Sequence, residues 1–166
     1  PMQERLPLDP MVSPHAHEEA RYGGDLRILF AKSKDIRQMV VYGYSRLVGY
    51  DQNLELQPDI LRDFSVEEGR IFTFHLREGH RWSDGQPFTT EDLRYYWEDI
   101  ANNEGLSPFG PPQAMLVEDK PPRVDVIDDL TIRYTWHKPN AVFLTKLAEP
   151  RPLFIYAPAH YLRQFH

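Results

Sequence analysis

The clearest pattern of apolar and polar positions in the chain is an alternation over Ile71–Leu76. Every second side chain from Phe72 onward is apolar, and the residues between them are Thr73 and His75. Side chains of a β-strand alternate between the two faces of a sheet, so this period of two is typical of a half-buried strand. The segment is therefore predicted to be a strand with one face toward a core.

Beyond Thr89 the apolar positions recur at intervals of three and four residues, which predicts an amphipathic helix. They are Leu93, Tyr96, Trp97 and Ile100. Thr89 is predicted to cap this helix, and the carboxylate of Asp92, three residues later, can accept a hydrogen bond from the amide of the cap. Between the strand and the helix, Ser83-Asp84-Gly85 predicts a tight turn, because glycine tolerates a positive φ.

Two hairpins are predicted on either side of this strand and helix. The first joins Leu47–Tyr50 to Leu54–Leu56 through Asp51-Gln52-Asn53, a sequence that favours turns. In the second, Leu130–Trp136 alternates between apolar and polar residues and follows Val124–Ile127. The predicted fold class is α+β, with a mainly antiparallel sheet and helices packed on it.

Shorter signals lie toward both ends of the chain. Leu26–Phe30 has an alternating pattern that predicts a strand, and Ile36–Ser45 has helical spacing. Near the other end, Asn140 is predicted to cap a helix that runs to Leu147, with its apolar side chains, Val142 included, facing inward. Ala159–Phe165 is predicted to be a short helix.

The composition excludes several classes of protein. The chain of 166 residues carries a formal net charge of −6, which argues against a nucleic-acid partner. It has no cysteine, so disulfides, thiolate metal sites and a cysteine nucleophile are excluded. No apolar run approaches the roughly 18 residues of a membrane span. No signal peptide is recognisable at Pro1, which is expected of a cytoplasmic chain or of a secreted one without its signal.

The chain offers a few candidate catalytic and metal-binding groups, and each has a simpler explanation. Asp84, Glu91 and Asp92 lie close together in sequence, as paired carboxylates of glycosidases do in space. A turn and the first turn of a helix account for all three, so no catalytic residue is predicted. His15 and His17 lie in a proline-rich segment without further ligands at suitable spacing, so neither a metal nor a cofactor is predicted.

The stretch FTFHLREGHRWSDGQPFTTEDLRYYWED resembles the signature of the family 5 extracellular solute-binding proteins. These are the peptide- and oligopeptide-binding components of ABC importers. The resemblance implies the small lobe of a type II periplasmic-binding-protein-like fold, with only the N-terminal portion of the family's chain present. It divides the chain into an extended arm at residues 1–21, a strand and helix of the large lobe at 22–44, and a small α+β lobe at 45–166.

The resemblance also implies where a ligand is contacted. The loop Ala31–Asp35 corresponds to a loop that lines the ligand cleft of the family, which makes Lys32 and Ser33 candidate ligand-binding residues. An aromatic residue at the position of Phe109, after Ser-Pro, can face the bound peptide in the family. The alternative is that Phe109 pins its long loop to the domain. Pro58–Phe64 is similar to a turn of helix in the family.

The function implied by the resemblance is the capture of a peptide or similar small solute outside the cytoplasmic membrane and its delivery to ABC permease subunits. The protein would then be periplasmic, or extracellular and membrane-associated, with its signal peptide absent from this chain. Two alternatives remain from other classes. One is a secreted carbohydrate-active enzyme or its binding module, and the other is an interaction domain that uses the proline-rich loop at residues 105–122.

Overall fold

The computed structural model describes residues 7–11, 25, 27–35, 45–149 and 153–165. Within these ranges it contains strands β1 to β6 at Val48–Tyr50, Leu56–Pro58, Leu61–Glu67, Ile71–Leu76, Arg123–Asp128 and Thr131–Thr135. The helices are α1 at Thr90–Tyr95, α2 at Phe143–Ala148 and α3 at Ala159–Leu162. A π-helical turn at Tyr96–Ala101 continues α1, and 3₁₀ turns lie at Gln113–Met115 and Arg163–Phe165. This mixture of antiparallel strands and short helices confirms the predicted α+β class.

The main sheet has four antiparallel strands in the order β3-β4-β6-β5, and β1 pairs with β2 in a separate small sheet. Phe74 of β4 lies opposite Phe64 of β3 and Ile132 of β6, and Phe72 lies opposite Tyr134. Residues directly opposite each other share a face of the sheet, so these apolar side chains form one face. The strand predicted around Phe74 and the second hairpin are therefore confirmed. The first hairpin is also present, with its second strand at Leu56–Pro58 rather than Leu54–Leu56.

Aromatic rings form the centre of the core. The ring centroid of Phe143 lies 5.4 Å from Phe72, 5.8 Å from Phe74 and 4.8 Å from Trp136. The indole N–H of Trp136 donates a hydrogen bond of 2.9 Å to the carbonyl of Met115, so its one polar atom is satisfied inside the core. Trp136, directly after the second hairpin, thus contacts both α2 and the 3₁₀ turn that contains Met115.

Helix α1 and its π-helical continuation pack their apolar side onto the same core. Leu93, Trp97 and Ala101 are buried in one cluster with the aromatic residues of the sheet. Thr89 is the N-cap, as predicted, and Asp92 completes a capping box with it. No helix of the described ranges is long and apolar enough to cross a membrane.

The predicted turn of helix at Pro58–Phe64 is wrong, because β2 ends at Pro58 and β3 begins at Leu61. Phe64 pairs with Phe74 across the ladder between β3 and β4. Pairing with β4, which follows in sequence, gives β3 backbone hydrogen bonds along one edge and outweighs this resemblance to a helical turn.

The N-terminal predictions lie partly outside the described residues. Of the predicted strand at residues 26–30, the described residues 27–30 form no strand, and Leu29 is 97% exposed. Within the described ranges no strand pairs with them, which leaves the alternating pattern without a sheet to join. The predicted helix at Ile36–Ser45 falls on residues outside the described ranges, except Ser45, which is not helical.

A short piece of the predicted arm, residues 7–11, lies against the end of β4. The amide of Leu8 donates to the carbonyl of Glu78 at 3.0 Å. The buried guanidinium of Arg77 donates to the carbonyls of Asp9 at 2.8 Å and Asp59 at 2.9 Å. Residues 7–11 are therefore fixed to the end of β4 by specific hydrogen bonds.

The start of α2 differs from the prediction. The side-chain carbonyl of Asn140 accepts hydrogen bonds of 3.2 Å from the amides of Val142 and Phe143, as a capping residue does. The helix itself begins at Phe143. Val142, predicted to face inward, is 47% exposed because it precedes the first turn of the helix.

Candidate ligand-binding site

Phe109, the aromatic residue predicted to face a ligand, is 100% exposed. It lies at the tip of a tight turn in which the amide of Gly110 donates a hydrogen bond of 2.8 Å to the carbonyl of Ser107. Gly110 has a φ of +74°, a conformation that glycine adopts without strain. A fully exposed ring cannot anchor its own loop, so the alternative role of Phe109 as a pin against the described residues is wrong.

The loop is anchored instead by polar groups next to Phe109. The hydroxyl of Ser107 donates to the carbonyl of Ile100 at 2.8 Å, and the amide of Ser107 donates to the carbonyl of Asn103 at 2.7 Å. The side-chain carbonyl of Asn103 accepts from the amides of Gly105 at 2.9 Å and Leu106 at 3.2 Å. The turn that carries Phe109 is therefore hydrogen-bonded to the π-helical turn that continues α1.

The end of this helix is itself fixed to the core. Trp97 is 9% exposed and packs in the main cluster. Its carbonyl accepts hydrogen bonds from the backbone amide of Asn102 at 3.2 Å and from the side-chain amide of Asn102 at 2.6 Å. The backbone bond spans five residues, the pattern of a π-helix. The Phe109 turn is thus bonded through Ser107 to the same helix end that carries the buried Trp97.

The two other predicted ligand-binding residues lie in a different part of the chain. Lys32 and Ser33 are both exposed. The amide of Asp35 donates to the carbonyl of Lys32 at 2.9 Å, and the amide of Lys32 donates to the carboxylate of Asp35 at 3.2 Å. Among the described residues, no hydrogen bond or ion pair joins this turn to the Phe109 turn.

Asp92 has a larger structural role than the cap that its spacing predicts. It is 3% exposed, and its Oδ2 accepts hydrogen bonds of 3.0 Å from the amide of Thr89 and from the indole N–H of Trp82. Its Oδ1 accepts from the amide of Ala159, also at 3.0 Å. One buried carboxylate therefore joins the turn before α1, the start of α1 and the start of α3.

The remaining carboxylates of this region are paired with basic groups. The Nε2 of His160 lies 2.7 Å from the Oδ2 of Asp84, and this hydrogen bond lowers the pKa of Asp84. Hydrogen bonds from Arg94, and then from Arg163, lower the pKa of Glu91 to about 2. A general acid needs a raised carboxyl pKa, so neither residue has the electrostatics of one.

Groups suited to metal binding are also absent from the parts of the chain that the structure describes, where no three His, Asp or Glu side chains are clustered as metal ligands. His15 and His17 lie outside these parts. The imidazole of His80 is partly buried, and burial lowers its pKa. The fully exposed side chain of Phe109 is therefore the main candidate for ligand contact among the described residues.

Comparison with known proteins places this geometry in a family. The family model for bacterial extracellular solute-binding proteins, family 5 Middle, matches residues 55–161, which is more than half of the chain. The chain belongs to family 5 of the bacterial extracellular solute-binding proteins. The matched residues of this family 5 chain include the capped helix, the Phe109 turn and the first three residues of α3.

Individual family 5 proteins resemble the chain over different lengths. A solved structure of the oligopeptide-binding protein OppA has 32% identity and a TM-score of 0.80, and covers 100% of this chain and 26% of OppA. The periplasmic α-galactoside-binding protein of Rhizobium meliloti (strain 1021) is 40% identical over 58 residues, 34% of this chain and 8% of that protein. The probable deoxycholate-binding periplasmic protein YgiS of Escherichia coli (strain K12) is 32% identical over 126 residues, 68% of this chain and 24% of YgiS.

Two facts follow from these family 5 relatives. The chain spans about a quarter or less of their lengths. Their names give an oligopeptide, an α-galactoside and a deoxycholate as ligands, which are chemically unlike one another, and describe solute-binding proteins rather than enzymes. The shared residues therefore occur in proteins whose named ligands have little chemistry in common.

The sequence alone did not identify the residues that anchor the Phe109 turn. Ser107 and Asn103 have side chains that commonly cap backbone groups in turns, and that was the only available signal. Their partners, such as the carbonyl of Ile100, become apparent only when the end of the helix is placed in space.

Proposed function

We propose that this chain is the N-terminal part of a solute-binding component of an ABC importer. It captures a peptide or similar small solute outside the cytoplasmic membrane and delivers it to the permease subunits. Members of family 5 act in ABC transport. The observation that supports a binding role for this chain in particular is Phe109, a fully exposed aromatic side chain on a hydrogen-bonded turn. The chain has no catalytic role in this proposal.

The domain boundaries and the location belong to the same proposal. Residues 22–44 contribute to a large lobe that the longer relatives complete, and residues 45–166 form the small lobe. The periplasm, or the outer face of the membrane, is the location that the periplasmic relatives support. The two lobes would close around the solute, which is the usual movement of periplasmic binding proteins.

Three residues are proposed to contact the solute: Phe109, Lys32 and Ser33. An aromatic ring provides a large apolar surface with few rotatable bonds, so little conformational entropy is lost when a ligand covers it. An ammonium group and a hydroxyl group supply hydrogen-bond donors that suit carboxylate and amide oxygens of a peptide. Ligand binding would bring the two turns to opposite sides of one solute.

A peptide is the favoured solute because the match to an oligopeptide-binding protein covers more of the chain than the match to a sugar-binding protein does. Among solved structures, the match to the oligopeptide-binding protein covers the entire chain with a TM-score of 0.80, whereas the match to the periplasmic binding protein MelB in complex with stachyose, an α-galactoside, covers 74% of it with a TM-score of 0.59. An α-galactoside is the first alternative to test.

The affinity of the chain depends on how much of the solute it surrounds. Small-molecule sites usually bury 70–90% of their ligand, and one lobe leaves most of the ligand surface in water. We expect a protein that also carries the lobes of the longer relatives to bind its solute with a micromolar or lower Kd. This chain alone should bind the same solute in the millimolar range or not at all. Isothermal titration of both proteins tests this, and equal affinities would contradict it.

A point substitution tests the role of Phe109 in the longer protein. Full burial of a phenylalanine side chain contributes about 1.5–3 kcal/mol, which corresponds to a roughly 10- to 100-fold change in Kd. The peptide tri-alanine serves as the test solute, and Phe109→Ala should weaken its binding by that factor. The control is Phe165→Ala, at another exposed phenylalanine of the chain. Equal effects of the two substitutions would contradict a ligand-facing role for Phe109.

A further inference from the structure

We infer that Ser107 is a positioning residue for Phe109. Its hydroxyl, bonded to the carbonyl of Ile100 at 2.8 Å, holds the turn in the orientation in which Phe109 is fully exposed. The inference rests on the proposed function, in which Phe109 faces the solute. It adds a residue that does not touch the solute and acts through the one that does.

The hydrogen bond of Ser107 uses a carbonyl that the end of the helix makes available. The last carbonyls of a helix have no amide partner within it. Here the helix ends in a π-helical turn at Tyr96–Ala101, and such turns occur frequently at functional sites. The side chain of Asn102 donates to the carbonyl of Trp97, and the side chain of Ser107 donates to the carbonyl of Ile100. Both carbonyls also accept a backbone amide, that of Asn102 at 3.2 Å and that of Asn103 at 3.3 Å, so each side chain adds a second donor at the helix end.

The chain returns to the core soon after the tip of the turn. Met115 is fully buried, its amide donates to the carbonyl of Pro112 at 2.8 Å, and its carbonyl accepts the indole N–H of Trp136 at 2.9 Å. Phe109 therefore lies between two fixed points, Ser107 and Met115, eight residues apart. Between them, residues 108–110 are exposed, and Pro111, Pro112 and Ala114 are partly buried.

This arrangement suits a residue that must be ordered before a ligand arrives. An exposed phenylalanine gains no burial from the folded chain, so nothing in its own contacts fixes its direction. A turn that is already ordered loses less conformational entropy on binding than a disordered loop does. The bond from Ser107 supplies that order without covering the ring.

The alternative is that Ser107 contributes only to general stability. Thr145 provides a matched control, because its hydroxyl also donates a hydrogen bond of 2.8 Å to a backbone carbonyl, that of Val142, at the start of α2. If Ser107 positions Phe109, Ser107→Ala changes the order of the Phe109 turn and Thr145→Ala does not. Ser107→Thr keeps a hydroxyl and should restore the order.

The experiment is ¹⁵N NMR relaxation on this chain without ligand, with the order parameters of Phe109 and Gly110 as the readout. We expect values near 0.85 in the unsubstituted chain, in Ser107→Thr and in Thr145→Ala, and values below about 0.6 in Ser107→Ala. Unchanged order in Ser107→Ala, or low order in the unsubstituted chain, would overturn the inference. Because no solute is used, this result is separate from the Phe109→Ala titration, whose failure would instead remove the proposed function.

Discussion

The two parts of the chain that carry the family resemblance differ sharply in exposure. The apolar residues of the signature and its Asp92 are turned inward, and Asp92 accepts hydrogen bonds from three separate segments while only 3% exposed. The Phe109 turn begins a few residues beyond the end of that helix and is turned outward. The residues by which the family is recognised thus stabilise the fold, and the residue proposed to meet the solute contributes no buried surface to it.

This difference gives a physical reason why the buried residues of the signature say little about the solute. A buried carboxylate with three donors tolerates few substitutions, because any loss leaves buried donors without partners. An exposed side chain on an anchored turn can change without affecting the core. The buried residues of the signature therefore contribute to the fold rather than to contact with a solute.

The largest effect is expected from the inward side of the helix. Trp97 is 9% exposed and lies in the main core cluster. Trp97→Ala should lower the free energy of unfolding by about 3–5 kcal/mol, the usual cost of removing a large buried aromatic side chain. Equilibrium urea denaturation measures this, and a loss below about 1 kcal/mol would mean that this face of the helix is not structural.

A slightly smaller effect is expected at the buried carboxylate. Asp92→Ala removes the acceptor of the Thr89 amide, the Trp82 indole and the Ala159 amide. Buried donors left without partners cost about 1–3 kcal/mol each, less where water can reach them, so we expect a loss of about 2–4 kcal/mol. Amide hydrogen exchange at Ala159 should accelerate in this variant. Protection of that amide at the level of the unsubstituted chain would contradict the three-way role.

The cap of the helix should have an intermediate effect. The hydroxyl of Thr89 accepts a hydrogen bond of 3.3 Å from the amide of Glu91. Thr89→Ala should cost about 1 kcal/mol, and Thr89→Ser should cost less because it keeps the oxygen. Urea denaturation of the two variants provides the comparison. Equal losses would show that the methyl group of Thr89, rather than its hydroxyl, is responsible.

These capping and strand features could be predicted from the sequence because they are local. The hydrogen bond that Asp92 accepts from the amide of Ala159 could not, since Ala159 is 67 residues away along the chain. The same applies to β3, where pairing of Phe64 with Phe74 overrides a local helical resemblance. At the candidate site, the resemblance indicated Phe109, but its full exposure depends on the fixed points at Ser107 and Met115. The roles of Lys32 and Ser33 remain predictions.

A smaller, pH-dependent effect is expected at the exposed end of the signature. Arg94 and then Arg163 lower the pKa of Glu91 to about 2 in the folded chain, from an ordinary value near 4.5. A lowered folded-state pKa stabilises the fold above the unfolded-state pKa, and this stabilisation is lost as the pH falls from about 4.5 to about 2. Glu91→Gln should reduce the loss of stability across that interval in pH-dependent urea denaturation. Glu104→Gln, at an exposed loop residue, is the control, and identical profiles would contradict the ion-pair role.

The most direct test of the contrast between the two regions is the urea denaturation midpoint of Phe109→Ala, measured beside that of Asp92→Ala in the same chain. Phe109 is 100% exposed, so its substitution should change the free energy of unfolding by no more than about 0.5 kcal/mol. Asp92→Ala should lower it by several times as much. If Phe109→Ala destabilises the chain as strongly as Asp92→Ala does, Phe109 is part of the folded framework, and the account of an outward-facing ligand contact is contradicted.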